Sequence, residues 1–161
     1  ISGQETNGLM VASRVDELLQ HTVENYFPGA QYVHQHYFLV NELMLNASSE
    51  PSMQLVFYPD YFTVAVCKDA QLQIIQTREY QVPEDVLYFI LNICKQHDLP
   101  VADIDITASG FIVANSALYS LLVQYLQRFS LANTQRENFA AEGFDEQPLH
   151  FFRHFLNYVR I

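Results

Sequence analysis

The chain has 161 residues, 50% of them hydrophobic and 14% aromatic, while charged residues are held to 16%. That length suits one good-sized domain, or one plus part of another, and a charge content well under the usual quarter points to apolar surface that something covers. Eighteen acidic against eight basic residues give a net charge of −10, and the basic ones stand singly at Arg14, Lys68, Arg78, Lys95, Arg128, Arg136, Arg153 and Arg160; without clustered cations to replace phosphate counterions, direct DNA or RNA binding and docking on an anionic membrane are excluded.

Residues 9–12 read as a short apolar strand. Ser13 then caps a helix, with Asp16 three positions on, and Val15, Leu18, Leu19, Thr22, Val23 and Tyr26 keep helical spacing until Pro28-Gly29. Residues 30–34 read as a second strand and 37–46 as a second helix. Residues 46–52, with Ala, three Ser, Glu and Pro, are the clearest linker and mark the expected boundary. Beyond it come strands at 54–58, 62–68 and 72–79, joined by turns at Pro59-Asp60-Tyr61 and Asp69-Ala70; Phe62, Val64 and Val66 share one face. Pro83 at the first helical position, followed by Glu84 and Asp85, starts a helix whose stretch 86–94 is nearly apolar all round and which stops at Asp98-Leu99-Pro100. A fourth strand spans 104–108. Asn115 or Ser116 caps a helix with Leu118, Leu121, Leu122 and Tyr125 on one stripe, a fifth strand follows at 129–132, and Pro148 opens an aromatic helix running to Val159.

The second half therefore has the order β-β-β-α-β-α-β-α, the ribonuclease-H-like arrangement repeated in each lobe of actin-like ATPases. The expected fold class is α/β with a five-stranded mixed sheet, a three-stranded antiparallel meander plus parallel strands, flanked by helices. Residues 1–8 are expected to be a disordered or artificial start, 9–50 the closing β-α-β-α of a first actin-like lobe, and 51–161 a complete second lobe. The start at Ile1, without an initiator Met, reads as part of a longer protein.

Three stretches carry a resemblance: FPGAQYVHQ (27–35), REYQVPEDVLYFIL (78–91) and FDEQPLHFF (144–152), supported by SALYSLLVQYL (116–126). From about Leu9 onward the chain resembles an uncharacterised bacterial family of unknown function with a divergent actin-like fold, distantly similar to pilus-assembly and cell-division actin-like proteins. The resemblance implies that fold and a missing N-terminal segment. It brings no established activity.

Actin-like ATPases hold nucleotide phosphates on the turn between the first two strands of each lobe, usually Asp-x-Gly followed by Ser or Thr, because backbone N–H groups must come close to the phosphate. Here the turn reads Tyr58-Pro59-Asp60-Tyr61-Phe62-Thr63. Pro59 lacks an N–H donor, Tyr61 puts a ring where Gly belongs, and Asp60 reads as a polar turn residue. The loop after the fourth strand, Ala108-Ser109-Gly110-Phe111, keeps one glycine of the usual pair. Glu84 and Asp85 at a helix start complement that helix's dipole and repel an anion there. A nuclease of the ribonuclease-H type needs an acid in the middle of its first strand; 54–58 has none, and Asp103 and Asp105, though on one face, lie at the wrong end of the fourth strand.

The histidine pairs His34/His36 and His150/His154 have no Cys or acid completing a metal set, and Cys67 and Cys94 lack partner spacing and read as buried thiols. Asn46-Ala47-Ser48 matches a glycosylation sequon by chance. No run of about 18 apolar residues makes a membrane span, and no signal peptide is visible. The expectation is a non-catalytic, cytoplasmic interaction or scaffold module that meets a protein partner or another copy of itself, with no catalytic residue, metal or cofactor. The alternative is a degenerate ATP-binding protein that holds nucleotide between two lobes on Asp60, Thr63, Ser109 and Gly110.

Overall fold

Strand-period alternation from Ser52 onward needs hydrogen-bonded neighbours, and the chain supplies them in sequence. In the computed structural model, which describes residues 2–6, 8–134 and 147–153, strands β3 (Ser52–Phe57), β4 (Tyr61–Lys68) and β5 (Gln71–Glu79) form the antiparallel meander. Asp69 and Ala70 close the second hairpin with φ of 53° and 55°, the left-handed conformation that a two-residue turn needs to match strand twist. Helix α3 (Pro83–Gln96) then crosses back, and β6 (Asp105–Gly110) joins β3 in parallel. Helix α4 (Ala117–Tyr125), capped by the Ser116 hydroxyl, leads to β7 (Phe129–Leu131), parallel to β6. The sheet order β5-β4-β3-β6-β7 is the expected five-stranded mixed sheet.

One face of this sheet carries the main core. Met53, Leu55 and Phe57 of β3, Phe62, Val64 and Val66 of β4, and Ile106 and Ala108 of β6 pack with Val86, Ile90, Ile93 and Cys94 of α3 and Leu118 and Leu122 of α4. The opposite face holds a smaller cluster in which Val56, Ala65 and Cys67 meet Leu39 and Leu43 of α2 (Gln35–Leu45). Helix α2 thus packs on the five-stranded sheet.

Several details of the N-terminal part differ from expectation. Residues 2–6, expected to belong to a disordered or artificial start, form β1 (Ser2–Thr6), because β2 (Leu9–Ser13) offers it an antiparallel partner. Helix α1 (Glu17–Tyr26) is capped by Asp16, whose carboxylate accepts from the N–H groups of Leu18 and Leu19; Ser13 is still strand. Residues 30–34 form no strand: a strand exists through its ladder, and among the described residues none lies alongside to pair with them. Of the expected C-terminal helix, the described part is a short 3-10 turn, Leu149–Phe152; residues 154–159 fall outside the described residues.

Candidate functional site

The Pro59-Asp60 corner at the end of the first hairpin is tightly closed. Phe57 pairs with Phe62, the Tyr58 N–H donates to the Tyr61 carbonyl at 2.9 Å, and the Tyr58 and Tyr61 rings stack at 4.4 Å with 15° between their planes. Tyr80, the residue after β5, clamps the corner from outside. Its hydroxyl donates to the Tyr58 carbonyl at 3.2 Å and its N–H to the Asp60 carbonyl at 3.1 Å. Burial first, and the Asp60 charge second, push the Tyr80 phenol above its ordinary range. Pro59 has no N–H to offer and the Tyr58 N–H is already used, so this corner is short of the free amides that a phosphate needs.

Gly110 meets a backbone requirement of the sheet. It closes β6 with φ of 78°, and a Cβ there would stand 2.2 Å from the Phe57 carbonyl oxygen and 2.9 Å from the Phe57 nitrogen. The glycine lets β6 approach β3 closely, sealed by the Phe111 N–H donating to the Phe57 carbonyl at 2.9 Å. The chain is then anchored by His150, whose Nε2–H donates to the Ile112 carbonyl at 2.7 Å, and by the edge-on contact of Phe151 with Phe111.

The other two candidates sit elsewhere. Thr63 and Ser109 flank Val56 across three strands and point to the α2 side of the sheet, where they line a cleft of about 310 Å³ between α2 and β3–β6. Its floor includes Gln54, Thr107 and Val56, and its α2 wall includes His36, Leu39 and Glu42. Asp60 and Gly110 are not among its lining residues, so the four candidates divide into a corner and a cleft. Thr63 and Thr77 share a hydrogen bond of 2.8 Å, His36 Nε2 meets the Thr77 hydroxyl at 3.2 Å, and the Ser109 hydroxyl faces the Leu55 carbonyl at 3.5 Å. Arg153 closes one side by donating from Nε and Nη2 to Glu42 Oε1, at 2.9 and 2.6 Å.

The cleft presents a row of hydrogen-bonding side chains. Among the described residues of the lining, the His36 ring is engaged with Thr77 and Arg153 is held by Glu42. Asp105, at the far end of β6, faces Arg128 at 3.7 Å in an exposed pair. Among the described residues no group of three His, Cys, Asp or Glu could hold a metal ion, and no helix is long and apolar enough to cross a membrane. Cys67 and Cys94 are both buried, and burial raises both thiols. His154 lies outside the described residues.

Sequence reasoning missed three parts of this arrangement: the Tyr80 clamp, the His36–Thr77–Thr63 chain, and the Glu42–Arg153 pair. Only the first had a local signal, an aromatic three residues ahead of a helix-starting Pro. The pair joins residues 111 positions apart, beyond any local pattern.

The fold is shared with a crystal structure from Bacteroides thetaiotaomicron VPI-5482, described as a protein with an actin-like ATPase fold and unknown function. It superposes with a TM-score of 0.67 at 16% identity over 88% of this chain. At that identity the likeness is one of fold alone, and it extends no further toward pilus-assembly or cell-division proteins. The chain spans about half, 51%, of that protein's length. No curated protein matches the chain. Residues 1–129 match the model of the family described as "Protein of unknown function (DUF3822)", and the chain belongs to that family.

Proposed function

We propose that this chain is a non-catalytic interaction module of actin-like architecture, working in the cytoplasm, in which residues 51–161 make a complete second lobe and 9–50 the closing part of a first. The observation that carries this reading is the Tyr58–Tyr61 corner. At the place where an actin-like lobe presents amides to phosphate, the chain has a proline, two stacked tyrosine rings and the Tyr80 clamp. Support for an interaction role comes from the N-terminal elements. Helix α1 buries none of its residues, and Met10, Leu18, Leu19 and Phe27 are exposed. Exposed apolar groups carried by consecutive elements in this way are commonly covered by a partner surface. A second lobe, another protein or another copy of the chain would each serve.

The alternative is a protein that binds ATP without turning it over, using Asp60, Thr63, Ser109 and Gly110. Thermal melting with and without millimolar Mg-ATP separates the two. A ligand at 100 times its dissociation constant adds about 2.7 kcal/mol, a shift of several degrees for a chain of this size. The interaction reading expects no shift. A rise of several degrees that Asp60→Asn abolishes would establish the nucleotide reading in its place.

A further inference from the structure

We propose that His34 and His36 form an acid-sensitive start to α2, in which the helix cap is made while the His34 ring is neutral and is lost when that ring takes up a proton beside its neighbour. Helix α2 has an unusual cap. The residue before it is not Ser, Thr, Asp or Asn but His34, whose Nδ1 accepts the His36 N–H at 3.1 Å. Only a neutral ring carrying its proton on Nε2 can accept there; the imidazolium donates from both nitrogens. His36 makes the second fastening, through Nε2 to the Thr77 hydroxyl of β5 at 3.2 Å, and Thr77 continues to Thr63 of β4. The two rings stand edge to face with centroids 4.6 Å apart, so two protons would bring two cations together. They would do so at the positive end of a helix whose first turn has no acidic residue.

The surroundings support loss of the cap in acid. Helix α2 packs against β4, β5 and β1. On β5, Glu79 follows Thr77 on the same face, with Tyr61 of β4 paired across from it. Cys67 lies further along that face of β4, Glu5 belongs to β1, and Tyr58 donates to the Gln35 side chain. Glu42 lies about two turns along α2, engaged with Arg153. None of these carboxylates dominates at His36. Burial first, and the His34 charge second, hold its ring below the ordinary value of 6.5. A histidine whose folded value is depressed gives stability that is present above that ordinary value and is lost as the pH falls through it toward the lower folded value. The far end of α2 stays tied by the Glu42–Arg153 pair, and a protonated His36 still donates from Nε2 to the Thr77 hydroxyl, so the loosening is confined to the first turns of α2.

Amide hydrogen exchange on the whole chain at pH 7.5 and 5.5, corrected for the intrinsic rate, tests this cap. In the wild type, protection in the first two turns of α2 is expected to fall about five- to tenfold, the effect of losing one helix cap, while α3 stays unchanged. The double variant His34→Asn, His36→Gln keeps a capping oxygen and an amide donor but cannot titrate, and its α2 should hold its protection at both values. Equal protection of wild-type α2 at the two values overturns the proposal. So does a loss that survives in the double variant, which would assign the response to His21, His97, His150 or His154. A third arm needs no variant: ring-nitrogen NMR at pH 7.5 should find the His34 proton on Nε2, and finding it on Nδ1 overturns the cap itself.

Discussion

The two faces of the five-stranded sheet are made by the same strands and differ in nearly every other respect. On the α3–α4 side, successive inward positions are large and apolar, and Phe57, Phe62, Met53, Leu55 and Ile106 are all but sealed from water. On the α2 side, apolar groups are confined to β3, β4 and β5 (Val56, Ala65, Cys67, Ile75), while β6 presents Asp105, Thr107 and Ser109. Among the described residues, α3 and α4 cover the first face and α2 covers part of the second. Period-two alternation assigns residues to faces, but the helices placed over each face decide what that assignment becomes: a dry core on one side and a hydrogen-bonding cleft on the other. Stability should therefore depend mainly on the first face, and any recognition of small polar groups on the second.

The largest effect is expected at Phe62, which is fully buried, stacks on Phe57 at 5.6 Å and touches Tyr80 and Phe89 edge-on or tilted. Phe62→Ala should cost about 4 kcal/mol, seen as a drop of roughly 10 °C in the melting temperature. A loss under about 1 kcal/mol would mean that the two faces share the load. Gly110→Ala comes next. The added methyl has no room beside the Phe57 carbonyl, and alanine resists a φ of 78°. Chemical denaturation should show a loss of about 3 kcal/mol. If the variant instead keeps its stability, the close approach of β6 to β3 is not what the glycine serves.

On the cleft side Glu42 and Arg153 form an ion pair with side chains 14% and 27% exposed. Glu42→Gln leaves the guanidinium with a neutral acceptor, and the expected loss is about 2 kcal/mol, half of that at Phe62. The measurement is urea unfolding of both variants side by side. A Glu42→Gln loss equal to or greater than the Phe62→Ala loss would reverse the ranking of the faces.

Much of the first face was legible in the sequence and little of the second. Phe62, Val64 and Val66 alternate visibly, Pro83 with two following acids marks the start of α3, and the β-β-β-α-β-α-β order specifies the sheet. The second face depends on α2, which the linker at 46–52 separates from the strands it covers. The contacts that shape the cleft join His36 to Thr77 and Glu42 to Arg153, residues 41 and 111 positions apart. The unformed strand at 30–34 makes the same point from the other direction. Its pattern is that of a strand, yet pairing needs a neighbour, and pattern alone does not say whether one is present. Among the four candidate site residues, Thr63 and Ser109 do face one cleft by the parity of their strands, whereas the role of Gly110 depends on a backbone contact that no spacing rule contains.

The smallest expected effect belongs to the first face and isolates a titrating support of α3. Asp85, in the first turn of α3, accepts from the N–H groups of Gln81 and Val82 at 3.0 and 3.2 Å. Those two backbone bonds hold its carboxyl below the ordinary value of 3.8. A carboxyl whose folded value is depressed contributes stability that is present above the unfolded value and is lost as the pH falls through it toward the folded one. Asp85→Asn keeps a capping oxygen but not the charge, so it should weaken the chain slightly near pH 7 and leave it equal to wild type near pH 2.5. The convergence is what distinguishes the charge from the packing: a loss at Phe62 is the same at both values, whereas a loss at Asp85 should vanish in acid. An Asp85→Asn deficit that persists at pH 2.5 would mean that the side chain acts through shape, and that α3 is held on the sheet by burial alone.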